Sequence, residues 1–157
     1  MKIVYYCYGG AHSSVIAASI HVGMLPTKRI AKKKEIISIP YFDLTPNSQI
    51  GLPLYIGIDS WGNEIYCMGW GIFKERILSS ILLLKNKDRK FIFDSIIFVY
   101  ALPVANIFIR LGGFLSRRIG LISIGRPLVI IGVRKRYYEF VELVSKVKEH
   151  NIRKNLI

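Results

Sequence analysis

The sequence predicts an α/β protein: a single three-layer domain whose mostly parallel sheet carries an inserted β-hairpin. Three observations point there. Short β-branched and aromatic runs alternate with amphipathic stretches, two of the runs are separated only by turn formers, and no repeat, low-complexity tract or linker interrupts the chain. Domains usually hold roughly 100–150 residues, so residues 1–150 are read as the domain and 151–157 as a frayed tail.

The elements follow in order. Lys2–Cys7 is a buried strand. Tyr8, Gly9, Gly10 and His12 make a turn, and a helix of small apolar residues runs from Ser13 to Val22, ended by Gly23. Thr27 is read as the N-cap of a second helix bearing Lys28, Arg29, Lys32, Lys33 and Lys34, with Ile30, Ala31, Ile36 and Ile37 left for packing. Pro40 breaks it, because proline restricts its predecessor and lacks a donor. A turn or short helix at Thr45–Ser48 comes next, with Asp43 read as its cap or, alternatively, as facing the first loop.

Leu54–Asp59 and Glu64–Met68 flank Ser60–Asn63 and form the hairpin, with Asp59 and Asn63 in turn roles. Phe73–Leu84 is a one-sided helix, Lys85–Lys90 a polar connector, and Phe91–Tyr100 a strand. From Leu102 to Arg118 the chain enters a helix on which Asn106 and Arg110 share a face at i and i+4. There Gly112 and Gly113 mark a break or a close-packing point. Leu128–Val133 reads as the last strand and Lys135–Glu149 as the last helix, with Phe140, Val141, Val144 and Val147 inward.

Composition limits the function classes. The chain has 23 Lys and Arg against 10 Asp and Glu, a formal net charge of +13, so a polyanionic partner suits it. Cys7 and Cys67 lack metal-ligand spacing, and no signal-peptide pattern is visible at the N-terminus. The expected setting is the cytoplasm, or the periphery of a membrane, with both thiols reduced. The uncharged stretch Ser95–Ile109 is shorter than the roughly 18–20 residues of a spanning helix.

The strand, turn and helix from Lys2 to Val22 form the most informative stretch. A helix starting after a strand presents unpaired N–H groups and a positive dipole end, which suits an anion. Gly9 and Gly10 let backbone amides approach a ligand, and Ser13 or Ser14 can cap the helix or bond an oxyanion. The Cys-x5-Ser-Ser pattern from Cys7 to Ser14 is similar to the Cys-x5-Arg-Ser phosphate loop of low-molecular-weight protein tyrosine phosphatases and related arsenate reductases. Ser13 stands where those enzymes place arginine, and no Asp-Pro general-acid motif is present. Cys7 as nucleophile and His12 as general acid or base are the catalytic candidates. The alternatives are a small buried hydrophobe and an ordinary hydrogen-bonding imidazole. Neither Gly-x4-Gly-Lys-Ser/Thr nor Gly-x-Gly-x-x-Gly occurs, which argues against a P-loop triphosphatase or dinucleotide site. If the sheet is parallel at Tyr100, Asn106, Arg110, Arg117 and Arg126 are candidates for a phosphate clamp at the same edge.

Four segments in the same order, Cys7–Ser14, Ile39–Leu44, Gly57–Asn63 and Arg110–Ser116, resemble the bacterial domain of unknown function 3189 family, from Lys2 to about Lys148. That resemblance implies one collinear domain and no activity. The expectation is therefore binding of a phosphate-containing small molecule at the loop after the first strand. Its rival is a regulatory or interaction module that uses the basic helix at Lys28–Lys34 on nucleic acid or an anionic membrane surface.

Overall fold

The computed structural model describes residues 1–72, 75, 77 and 96–155. Apart from Glu75 and Ile77, the expected helix Phe73–Leu84 lies outside these residues, as do the connector Lys85–Lys90 and the start of the strand at Phe91.

Among the described residues the sheet has four strands in the order β2-β3-β1-β4. They are β1 (Lys2–Cys7), β2 (Leu54–Ile58), β3 (Glu64–Gly69) and β4 (Ile96–Tyr100). The opening run sits in the centre, parallel to β3 on one side and β4 on the other, with Tyr5 opposite Cys67 and Val99. The hairpin is present: β2 pairs antiparallel to β3, with a bulge between Tyr55 and Gly57. The fold is thus α/β with a mostly parallel sheet, as the alternating runs predict.

Alternation along β1 divides the apolar packing between two faces. Ile3 and Tyr5 join the main core with Val15, Ile16, Ile20 and Phe140, whereas Val4 and Tyr6 join Met68 and Trp70. Each fully buried aliphatic side chain contributes roughly 1.5–3 kcal/mol. Helix α1 (Ser13–His21) packs on β1, β3 and the C-terminal helix, and its small residues Ala17, Ala18 and Ser19 permit that closeness. Its end matches expectation: Val22 is the C-cap, and Gly23 follows at φ +80.

Two expectations need correction. The basic helix does not begin at Thr27; α2 spans only Lys33–Ser38, with Lys32 at its N-cap. Glu35 accounts for the later start, since its carboxylate accepts a hydrogen bond from Lys32 N–H at 2.6 Å and pairs with Arg29 at 2.5 Å. Lys28 and Arg29 therefore lie in a bend before the helix, and Ile30 and Ile37 are exposed while Ala31 and Ile36 are buried.

Leu128–Val133 is not a strand. After α3 (Ile107–Phe114) and a π-helical turn (Leu115–Ile119), the chain forms α4 (Ile122–Lys135), which contains that whole run, and then α5 (Tyr137–Asn155). Glycines make the helix–helix contact. A Cβ on Gly112 would lie 2.6 Å from Gly125 O, and one on Gly132 would lie 2.7 Å from Ile109 Cγ1. Close approach of two backbones buries the β-branched residues of α4 without a sheet, and Gly112 proves to be a packing point.

Candidate functional site

Cys7 ends the central strand at its carboxyl edge, where open α/β sheets keep their ligands. The chain turns back sharply at Gly10, whose φ is +66 and whose Cβ would meet Gly69 N at 2.5 Å. Only glycine fits a backbone laid this closely on the end of β3. The turn directs Gly10 N–H to Cys7 Sγ at 3.3 Å, and Ser14 Oγ lies 3.1 Å from the same sulfur. Helix α1 starts beyond His12 without any side-chain cap, so neither Ser13 nor Ser14 plays the capping role the sequence allows. Ser14 is given to Cys7, and Ser13 is also buried, its hydroxyl making no side-chain hydrogen bond among the described residues.

A cavity of about 50 Å³ opens beside Cys7, lined by Tyr6, Tyr8, Trp70, Gly71, Tyr100 and Leu102. That is a few times the roughly 10–15 Å³ a single water needs. Its aromatic wall is rigid: Tyr6 stacks on Trp70 at 3.7 Å between ring centroids and on Tyr100 at 4.9 Å. Gly9 leaves open space where a Cβ would stand. A larger cavity of about 240 Å³ lies between Ile97 and Leu143, Val147 and His150, away from the loop, with an almost wholly apolar lining.

Behind the loop sits a buried polar cluster centred on Asp43, which faces the first loop and does not cap the turn after it. His12 Nε2 is 3.0 Å from its carboxylate, Ser116 Oγ donates at 2.6 and 2.7 Å, and Arg126 Nε donates at 2.9 Å. Because the carboxylate only accepts, Nε2 carries the His12 proton. Burial opposes ionisation of Asp43, but the His12, Ser116 and Arg126 hydrogen bonds outweigh it and draw the carboxyl down to about 2. Tyr41 and Asp43 adopt φ of 64 and 56, a left-handed backbone that non-glycine residues rarely take. Ser116 comes from the π-helical turn, and a Cβ on Gly113 would lie 3.0 Å from His12 Nδ1.

The arginine candidates separate. Arg126 is paired with Asp43, and Arg117 donates to Asp43 O and Thr45 O. Arg110 donates to Ala105 O, while Asn106 caps α3 through Ile109 N and donates to Gly132 O. The fold thus joins Cys7, Gly10 and Ser14 in one group and His12, Asp43, Arg117 and Arg126 in another, with Asn106 and Arg110 in neither. Asp43 takes the alternative place facing the first loop, and Ser116 and the aromatic residues Tyr6, Trp70 and Tyr100 are additions to the site. The one sequence signal for Asp43 is an acidic residue set in the apolar Ile39–Leu44 run.

The other thiol and histidine belong to the core. Burial pushes Cys67 up to about 12. His21 Nδ1 lies 2.7 Å from Tyr5 Oη and its Nε2 lies 3.1 Å from Asp59, which also holds the backbone and side chain of Asn63 in the hairpin turn. The turn roles of Asp59 and Asn63 are therefore present, extended by His21. No group of metal-ligating side chains occurs among the described residues.

Fold and site together define an α/β protein with a glycine-containing loop folded over a cysteine at the carboxyl end of its central strand. A family model described as a protein of unknown function (DUF3189) matches residues 2–149, nearly the whole chain, and the chain belongs to that family. No curated protein and no solved structure matches it.

Proposed function

We propose that the protein binds a phosphate-containing small molecule at the loop Tyr8–Ser14, with the phosphate beside Cys7 and the remainder of the ligand toward Tyr8. The observation that carries this reading is the convergence of an amide and a hydroxyl on Cys7 Sγ. Gly10 N–H and Ser14 Oγ reach the sulfur next to an uncapped helix N-terminus and an adjoining cavity. An oxyanion beside the sulfur would share the Gly10 amide and the Ser14 hydroxyl, and the dipole of α1 adds to them. The His12–Asp43 cluster supports the loop from behind by fixing the residue immediately before α1.

Binding is as far as these residues lead. Ser13 stands where the similar phosphatase loops have arginine, and Arg117 and Arg126 are already held by Asp43 and Thr45. Thermal denaturation with inorganic phosphate, sugar phosphates and nucleotides tests the reading. A saturable rise in Tm is expected for at least one of them, and its loss in the Ser13→Ala, Ser14→Ala double variant. No rise with any of them, or an equal rise in the variant, would remove the reading.

A further inference from the structure

We propose that the helical hairpin α3–α4 docks on an anionic lipid surface, with its connecting turn entering the headgroup region. Residues 95–138 contain seven Lys and Arg and no Asp or Glu. On the same segment large apolar side chains face outward. Ile107, Leu111 and Phe114 line one side of α3 at i, i+4 and i+7, with Ile107 68% exposed. Ile119, Leu121 and Ile122 continue them over the turn at 42–52% exposure.

Arg126 pairs with Asp43 and Arg136 with Glu139, and outward aliphatic residues beside the other five cations complement a bilayer whose surface is negative and whose boundary is apolar. A second copy of this chain suits the surface poorly, since a two-fold contact would set one basic face on another. Nucleic acid suits it poorly as well, because aliphatic side chains offer bases no stacking platform. The glycine contacts between α3 and α4 make the hairpin rigid before it meets lipid, so docking requires little ordering. No helix among the described residues is long and apolar enough to cross a membrane, which fits a segment lying on one. Arg118, on the same turn, donates to Tyr8 Oη at 3.0 Å and ties it to the rim of the Cys7 cavity.

Sedimentation of the full chain with phosphatidylcholine vesicles, alone and mixed with phosphatidylglycerol, tests the proposal. Three variants are compared with the parent: Leu121→Ser with Ile122→Ser, Lys33→Gln with Lys34→Gln, and Ile122→Cys carrying a polarity-sensitive dye, both native thiols being buried. The parent should pellet with the mixed vesicles, and the turn variant should bind roughly tenfold less. The dye should shift to the blue, and the Lys33/Lys34 variant should behave like the parent. The proposal is overturned if the parent ignores mixed vesicles, if the turn variant binds equally, or if the dye does not shift. It is equally overturned if the Lys33/Lys34 variant alone loses binding. Two further results would reassign the surface: a parent dimer that the turn variant disperses, or duplex DNA binding with the same dependence on Leu121 and Ile122.

Discussion

His12 with Asp43 and His21 with Asp59 are the same chemical pair at nearly the same length, 3.0 and 3.1 Å, yet they hold different things together. Asp59 is a local device. It accepts from Trp61 N and Asn63 N at 2.9 Å each, so it shapes its own hairpin turn before it meets His21. Asp43 is a long-range device whose partners His12, Ser116 and Arg126 lie 31, 73 and 83 residues away. One pair finishes a turn and pins it to α1. The other ties three distant segments behind a candidate ligand loop.

The sharpest way to break this contrast is Asp43→Ala. It would leave His12 and Ser116 without their buried partner and Arg126 uncompensated, so a loss of about 4 kcal/mol in urea denaturation is expected. A loss below about 1 kcal/mol would mean that the cluster does not hold the segments together. Gly10→Ala should cost about 3 kcal/mol, because it combines a positive φ with an approach of 2.5 Å to Gly69 N.

The His21 pair should show itself through pH. Burial, with Lys148 nearby, lowers His21 to about 4 against the pull of Asp59. The unfolded histidine, near pH 6.5, then takes up a proton before the folded one. Stability from this site is complete above about pH 6.5 and falls as the pH drops toward 4, by up to about 3 kcal/mol. Asp43, also lowered, works in a more acidic window: its contribution is present above about pH 4 and fades toward pH 2. Denaturation midpoints measured from pH 7 to pH 3 should therefore fall first through His21, and His21→Gln should flatten the upper part of the curve. An unchanged slope in that variant would contradict the assignment. The smallest effect is expected at Ser19, whose buried hydroxyl has no partner among the described residues. Ser19→Ala should be neutral or stabilising by about 1 kcal/mol in the same assay.

What was legible in the sequence follows the same division between local and distant. β1, α1 with its Gly23 stop, and the hairpin are announced by neighbours within a few residues, and all three are present. Leu128–Val133 was misleading because a short β-branched run does not distinguish a buried strand from a buried helix. The deciding glycines, Gly112, Gly125 and Gly132, act only once two helices meet. The start of α2 turned on Glu35 reaching back to Lys32 and Arg29, a choice that the basic run around it concealed. The close turn of the Cys7 loop was readable from its paired glycines, of which Gly10 takes a positive φ against Gly69. The Asp43 cluster was not, since no pattern in the chain pairs residue 43 with residues 116 and 126.

The most direct measurement is the backbone amide NMR spectrum of the protein titrated with inorganic phosphate. Saturable shifts centred on Gly9, Gly10, Ser13 and Ser14, and reduced in Ser14→Ala, are the result expected if the loop seats an anion. Shifts confined to the Lys28–Lys34 segment, or a loop unmoved at saturating phosphate, would contradict it.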